Sequence, residues 1–403
     1  MINLKVYVWC GVFSFMYPIH PDTVYILDRV YRIPSAEARL NAMLANLQPA
    51  HKVVLSDREL HHLVGKRHWT QGYRHRTGFY RRHGPPTLIF NTFRPMGWNL
   101  RWHQLRYPRL NHGMLAGQGP FTHRSEINHL ERNICQAAWE MHSIFGCLHA
   151  CDYCHVEDFV NIMLNIEDLI SDLQRVITAN PSQQLYKYDN LSDIFAFEPE
   201  YNACLPLIEF FAHTPRQYLL LYSKSDNIDF LLNADHQGHT IINWSISPQS
   251  QASLIEKGTP PLDRRVKAME KCQEAGYTVR ARFSPLIPIR NWQQETADMV
   301  KLLFYHAKPD VITLDVVGFM SPKVMREAID TNLFDPQAVG ILEDVEKSQR
   351  LFGKHTFPHE FRRAMFRHVI SEIRKYAPTI PISVCNETKR SEERRVGKEC
   401  RSR

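Results

Sequence analysis

Cys147, Cys151 and Cys154 stand in the spacing Cys-x3-Cys-x2-Cys, just after the segment Met141 to Phe145. Cubane iron–sulfur clusters take thiolate ligands, and three thiolates this close in sequence can hold three irons while the fourth stays open to a small molecule. The competing reading is a zinc knuckle, in which His142, His149 or His155 supplies the fourth ligand of a tetrahedral site. Structural zinc sites pair their ligands as Cys-x2-4-Cys with a second, distant pair, and no second pair is visible. Nine cysteines in 403 residues are neither dense nor regularly paired. That usage argues against a disulfide framework and for a reducing, cytoplasmic compartment.

With 44% apolar residues, a chain of this length can bury one barrel-sized domain with additions, or two smaller domains. No membrane span is expected: Val6 to Tyr17 is apolar but too short, and it lacks a small-residue cleavage site. Residues 1–20 therefore read as an N-terminal extension. Ser391 to Arg403 breaks abruptly from the strand-like Ile380 to Val384 and resembles translated adapter sequence. Residues 386–403, with Cys400, are read as a tail and set aside.

The net charge of +7 is unevenly placed. Between Leu60 and Ser125 there is no Asp or Glu, yet Lys66, Arg67, Arg74, Arg76, Arg81, Arg82, Arg94, Arg101, Arg106, Arg109 and Arg124 fall there. Trp69, Tyr73, Phe79, Tyr80, Phe90, Phe93, Trp98, Trp102, Tyr107 and Phe121 are interleaved with them. Cations that track phosphates, among rings on which bases stack, suit a nucleic-acid surface. The same pattern also describes a solvated basic face over a packed core.

After the cysteines, strand-like and helix-like segments alternate. Asn165 reads as an N-cap, with Ile166, Leu169, Ile170, Leu173, Val176 and Ile177 at helical spacing. Strands are expected at 185–188, 218–223, 240–245, 278–283, 311–316 and 380–384. Helices are expected near 201–212, 227–233, 262–275, 292–307, 322–330 and 359–376, with Gly276 at a left-handed C-terminal position. Repeated βα units imply a parallel sheet with helices outside, either doubly wound or a full or partial barrel.

The cysteine spacing resembles the radical S-adenosylmethionine superfamily, in which the open iron chelates the cofactor. Lys224 to Tyr277 narrows this further: a Lys ends the strand before a short Asp-rich helix, then come D-H-x-G-H-T, a W-S-I strand end, G-T-x-x-L-x-x-R and a helix closing on A-G-Y. These features are similar to the spore photoproduct lyase family, as are Asp22 to Tyr31 and the G-K-x-H-x-x-x-Y segment of Gly65 to Tyr73. The resemblance covers about 21–385 and fits worst near 95–136. It implies an α/β chain with a basic N-terminal α/β region at 21–135 and a partial (β/α) barrel at 136–385.

It further implies a [4Fe-4S] cluster on Cys147, Cys151 and Cys154, S-adenosyl-L-methionine as cofactor, DNA as partner, and a reductase or flavodoxin-type electron donor. Residue by residue, Tyr153 matches an aromatic against the adenine, and Ser192 and Asp193 match the position holding the methionine end. Lys224 matches a lysine reaching the cofactor carboxylate, and Ser245 a polar group near the ribose. One position departs. Where the family carries a cysteine that donates hydrogen to the repaired thymine, this chain has Asn190, and His155 replaces a tyrosine after the third cysteine. Either another group quenches the product radical, Tyr188 and Tyr186 being nearest in sequence, or the substrate differs.

Overall fold

The structure, a computed structural model, describes residues 16–67, 76–78, 84–93, 121–124, 127–128, 133–134, 138–156, 159–348, 355–385 and 387. Parallel strands need a crossover, and amphipathic helices between strands supply it. The smaller sheet contains β1 (Thr23–Leu27), β2 (His51–Leu55), β3 (Thr87–Asn91), β8 (Ile144–Phe145) and β10 (Phe159–Met163), in the order β2-β1-β3-β10-β8. All its pairs are parallel except β8 with β10. Helices α1 (Pro34–Leu47) and α2 (Asp57–Arg67) connect its first strands. This sheet draws strands from both sides of residue 135, so the segment carrying the cysteines is built between two of its strands.

The larger sheet contains β4 (Phe121–Arg124), β7 (Ala138–Met141), β11 (Leu185–Tyr188), β12 (Tyr218–Ser223), β13 (Thr240–Ser245), β15 (Thr278–Leu286), β16 (Ile312–Val316) and β17 (Ile382–Val384). Their order, β17-β16-β15-β13-β12-β11-β7-β4, is parallel throughout except for β4 against β7, and the two edges do not pair, as in an open, partial barrel. Two short ladders complete the strands, β5 (Ile127–Asn128) with β6 (Asn133–Ile134) and β9 (Ala150–Cys151) with β14 (Glu256–Lys257). The crossovers run through α3 (Ile166–Ala179), α4 (Cys204–Ala212), α5 (Gln249–Leu254), α6 (Leu262–Glu274), α7 (Trp292–His306), α8 (Pro322–Ala328), α9 (Pro336–Lys347) and α10 (His359–Tyr376).

Strand alternation divides the large sheet into two faces. Tyr186, Tyr188, Leu219, Leu221, Ile242, Trp244, Ala281, Phe283 and Leu314 are fully buried toward the helices. Burying each of the larger apolar chains contributes roughly 1.5–3 kcal/mol. The other face carries Glu140, Lys187, Leu220, Tyr222, Ile241, Asn243, Ser245, Arg282, Thr313 and Ser383. Apart from Leu220 and Ile241 these are polar or phenolic side chains, and they line the hollow of the barrel. Asn165 does precede α3, but its side chain accepts from Phe93 N (2.6 Å) instead of capping the helix. Helices α5 and α9 have no counterpart in the sequence reading, and the segment near 227–233 is a single 3-10 turn, Asp229–Leu231.

Candidate active site

The cysteine loop leaves β8 through Gly146, which has φ +106° and donates its N–H to Leu191 O (3.2 Å). A Cβ there would sit 2.1 Å from Phe159 O, so only glycine fits. Just before it, the buried Asp189 carboxylate accepts from the N–H groups of Ser143 (3.0 Å), Ile144 (3.2 Å) and Leu191 (2.9 Å) and meets His142 Nδ1 at 2.8 Å. Beyond Cys151, Cys154 N returns to Cys151 O (3.1 Å) in a tight turn. The loop is pinned from outside as well. Ala150 and Cys151 pair with Lys257 and Glu256, Lys257 Nζ meets Asp152 Oδ2 at 2.8 Å, and Thr77 N donates to Cys154 O (2.9 Å).

Burial, with Asp193 nearby, pushes the Cys147 thiol up to about 12; burial and Glu256 push Cys151 well up. Such thiols become thiolates only beside compensating cations, which the irons of a cluster supply. The backbone N–H groups of His149 and Asp193 favour the Cys147 thiolate. His149 itself is committed elsewhere, with Nδ1 at 2.8 Å from Gly258 O and Nε2 at 3.1 Å from Asp193 Oδ2. Both ring nitrogens of His149 are thus engaged, which removes it as a zinc ligand. The donor set fits a cluster, in which each thiolate holds its own iron.

The hub beside this loop is Glu256, which the sequence reading did not single out. Fully buried, it accepts at Oε1 from Tyr153 Oη (2.8 Å), Lys224 Nζ (3.0 Å), Ser247 Oγ (2.8 Å) and Gln251 Nε2 (3.2 Å), and at Oε2 from Arg265 Nη1 (2.7 Å). Burial alone would raise its pKa, but Lys224 and Arg265 together hold it well below the usual carboxylate range. Removing one partner of a buried pair like this typically costs about 3–5 kcal/mol. A signal for the hub was present: Arg265 falls on the apolar stripe of Leu262, Val266, Met269 and Cys272, where a cation needs a buried partner.

Of the expected cofactor residues, Tyr153 and Lys224 meet at Glu256, and the ammonium lies 6.0 Å from the Tyr153 ring centre. Asp226, the other carboxylate near Lys224, is paired with Arg264 instead. Asp193 joins the same neighbourhood by accepting from Lys224 N (2.6 Å), Ser223 Oγ (2.8 Å) and His149. Burial would raise its pKa, but the His149 hydrogen bond and charge, with those two donors, hold it below the usual range. Ser192 Oγ is buried with no hydrogen-bond partner among the described residues, as expected of a group awaiting a ligand. Ser245 ends β13 on the hollow face, and its carbonyl accepts from Arg265 Nη1 (3.2 Å).

Tyr188 stays apart. It points to the helix-facing side, fully buried, with its hydroxyl on Ser143 Oγ. Tyr186 shares that side and packs on Phe211, 5.7 Å between ring centres. Part of the expected N-terminal extension joins the site: Tyr17 Oη donates to Asp226 Oδ1 (2.7 Å), and its ring meets His149 edge-on at 5.4 Å. The expected basic surface lies mostly outside the described residues; within them, Phe90 and Phe93 are buried in the core. No helix among the described residues is long and apolar enough to cross a membrane.

An open parallel barrel with a three-cysteine loop at the C-terminal ends of its strands is the architecture of radical S-adenosylmethionine proteins. The family profile for spore photoproduct lyase matches residues 130–383. The chain is 22% identical over 251 residues to the spore photoproduct lyase of Bacillus subtilis, covering 59% of this chain and 73% of that protein. To the one from Geobacillus sp. it is 26% identical over 156 residues, 37% of this chain and 46% of the relative. A structure of a spore photoproduct lyase variant with bound AdoMet and dinucleoside spore photoproduct superposes with a TM-score of 0.64 at 16% identity, covering 91% of this chain and 98% of that one. Spore photoproduct lyase complexed with dinucleoside spore photoproduct gives 0.63 at 16% identity with the same coverage. This chain belongs to the spore photoproduct lyase family.

Proposed function

We propose that this protein is a radical S-adenosylmethionine enzyme that repairs a thymine photoproduct in DNA. The observation that carries the reading is the wiring of the cysteine loop, through Glu256, to Lys224 at the rim of the polar hollow. When bound, the cluster and S-adenosylmethionine supply a 5′-deoxyadenosyl radical, and the protein supplies binding and orientation. Cys147, Cys151 and Cys154 would hold three irons. Lys224 would meet the cofactor carboxylate by a charge-assisted hydrogen bond, and Ser192 would satisfy its buried hydroxyl on the methionine end. Tyr153, held by Glu256, would lie against the adenine, and Ser245 would meet the ribose. The region 60–125 would carry DNA, and a reductase or flavodoxin-type protein would deliver the electron.

The test is anaerobic reconstitution, reduction, and incubation with the dinucleoside spore photoproduct. The expected outcome is about four irons per chain, 5′-deoxyadenosine, and repaired thymine. Cys147→Ala, Cys151→Ala or Cys154→Ala abolishes the reduced-cluster spin signal, while Cys272→Ala retains it. Formation of 5′-deoxyadenosine without repaired thymine, in both the natural protein and Asn190→Cys, would overturn photoproduct repair.

A further inference from the structure

A returning hydrogen atom needs a donor facing the hollow, and residue 190 is an amide. Tyr188 and Tyr186, nearest to it in sequence, face the helices, as described above. Among the described residues of β11 and β12, the phenol that faces the hollow at this level is Tyr222. Tyr218 is on the same face but lies at the opposite end of β12 and is 38% exposed. We infer that Tyr222 is the hydrogen-atom donor to the product radical, an assignment that rests on the photoproduct-repair reading.

Four observations converge on it. Tyr222 lies at the C-terminal end of β12, two residues before Lys224, which follows the strand directly. Its ring is bracketed by cations, with Lys187 Nζ 5.3 Å and Arg282 Cζ 5.8 Å from the ring centre. Lys187 is ion-paired with Glu140, whose Oε1 also accepts from Asn190 Nδ2 (3.4 Å), so Tyr222 is linked by contact to the position of the absent thiol. Beside it in register stands Asn243, 3% exposed, with Oδ1 lacking a hydrogen-bond partner among the described residues. A buried, unsatisfied amide oxygen on this face is an acceptor awaiting a ligand, and the N3–H of a thymine is a donor of the right kind.

The hydrogen-atom transfer balances without an outside reagent. The phenolic O–H of Tyr222 breaks and a C–H bond forms on the product radical, leaving a neutral phenoxyl radical. Proton and electron move together, so no base is required. The phenoxyl radical is then returned to the phenol by one electron from the reductase or flavodoxin-type donor and one proton from water, so that 5′-deoxyadenosine remains as a product. Arg282 is shared between Tyr222, Asp315 (3.5 Å) and Cys385 Sγ (3.9 Å), which makes Cys385 the rival donor to be tested.

A single-turnover reaction of the iron-loaded protein with the dinucleoside spore photoproduct in deuterated water decides the matter, because phenolic and thiol hydrogens exchange with solvent. The natural protein should return thymine carrying one deuterium. Tyr222→Phe should lower repaired thymine per 5′-deoxyadenosine by about tenfold or more, with non-reduced side products in its place. Freeze-quenched samples of the natural protein should show a phenoxyl spin signal that narrows when tyrosine is ring-deuterated, a readout that does not depend on the variant folding. An unchanged ratio and label in Tyr222→Phe would overturn the assignment. So would loss of the label in Cys385→Ala alone, or the absence of a phenoxyl signal. If the natural protein forms 5′-deoxyadenosine but no repaired thymine, photoproduct repair itself fails and the donor assignment falls with it.

Discussion

Lys224 and Glu256 form a 3.0 Å ion pair on a carboxylate oxygen that already accepts from Tyr153, Ser247 and Gln251. Two carboxylate oxygens offer about four lone-pair sites between them, so four donors on one oxygen exceed its share. Lys224 is the donor that can leave, because Arg265 on the other oxygen remains as countercharge. Lys224→Ala should therefore weaken S-adenosylmethionine binding about tenfold or more, the worth of a charged hydrogen bond, while iron content is retained. Calorimetric titration of the iron-loaded protein measures this, and an unchanged affinity would remove Lys224 from the cofactor site.

Glu256 also sets a pH signature. Its folded pKa lies below its unfolded value, so its contribution to stability is fully present above the unfolded carboxylate value of about 4.3 and is lost as pH falls from there toward the folded value. Glu256→Gln should cost roughly 3–5 kcal/mol at neutral pH by leaving Lys224 and Arg265 without their charge partner. The gap in melting temperature between the two proteins should hold from pH 7 to about 5 and narrow below about 4.3. A gap independent of pH across that range would show that Glu256 does not act through its charge.

Gly146→Ala tests the entry to the cysteine loop. The added Cβ meets backbone, not a yielding side chain, and φ +106° is strained for alanine. A loss of at least about 1–3 kcal/mol is expected, together with reduced iron retention after desalting. Gly340→Ala, where a Cβ would meet nothing within 4 Å, serves as the control. Equal melting temperatures for the two variants would refute the packing argument.

For DNA binding, the run of cations between 60 and 125 predicts a steep dependence on salt. Replacing Arg81 and Arg82 together with Ala should reduce the logarithmic salt slope by about two units if both meet duplex phosphates. Fluorescence anisotropy at several salt concentrations is sufficient, and salt-insensitive binding would exclude an electrostatic DNA surface there.

The barrel was legible because its strands carry strong local signals. The bounds of β11, β12, β13 and α10 agree with the alternation and periodicity of the sequence. The cysteine loop was legible from spacing alone. Glu256 was not, since a carboxylate in the turn Glu-Lys-Gly-Thr reads as solvated until Tyr153 and Lys224, 103 and 32 positions away, close over it. Tyr188 was read toward the chemistry because it lies near residue 190 in sequence, but a period of two sends it to the opposite face from Lys187. Helix α5 is six residues long and rich in Gln and Ser, so it offers too little periodicity to detect.

The cysteine loop is shaped by partners that arrive late along the chain. Its backbone meets Leu191 and Ile255, and its strand mates are Glu256 and Lys257, about a hundred residues downstream of the cysteines. Contacts this distant form only after long loops have closed. A chain still emerging from synthesis at Cys154 therefore has the three thiols but no socket for the metal. Loading with iron and sulfide therefore has to wait for the stretch of chain around Glu256.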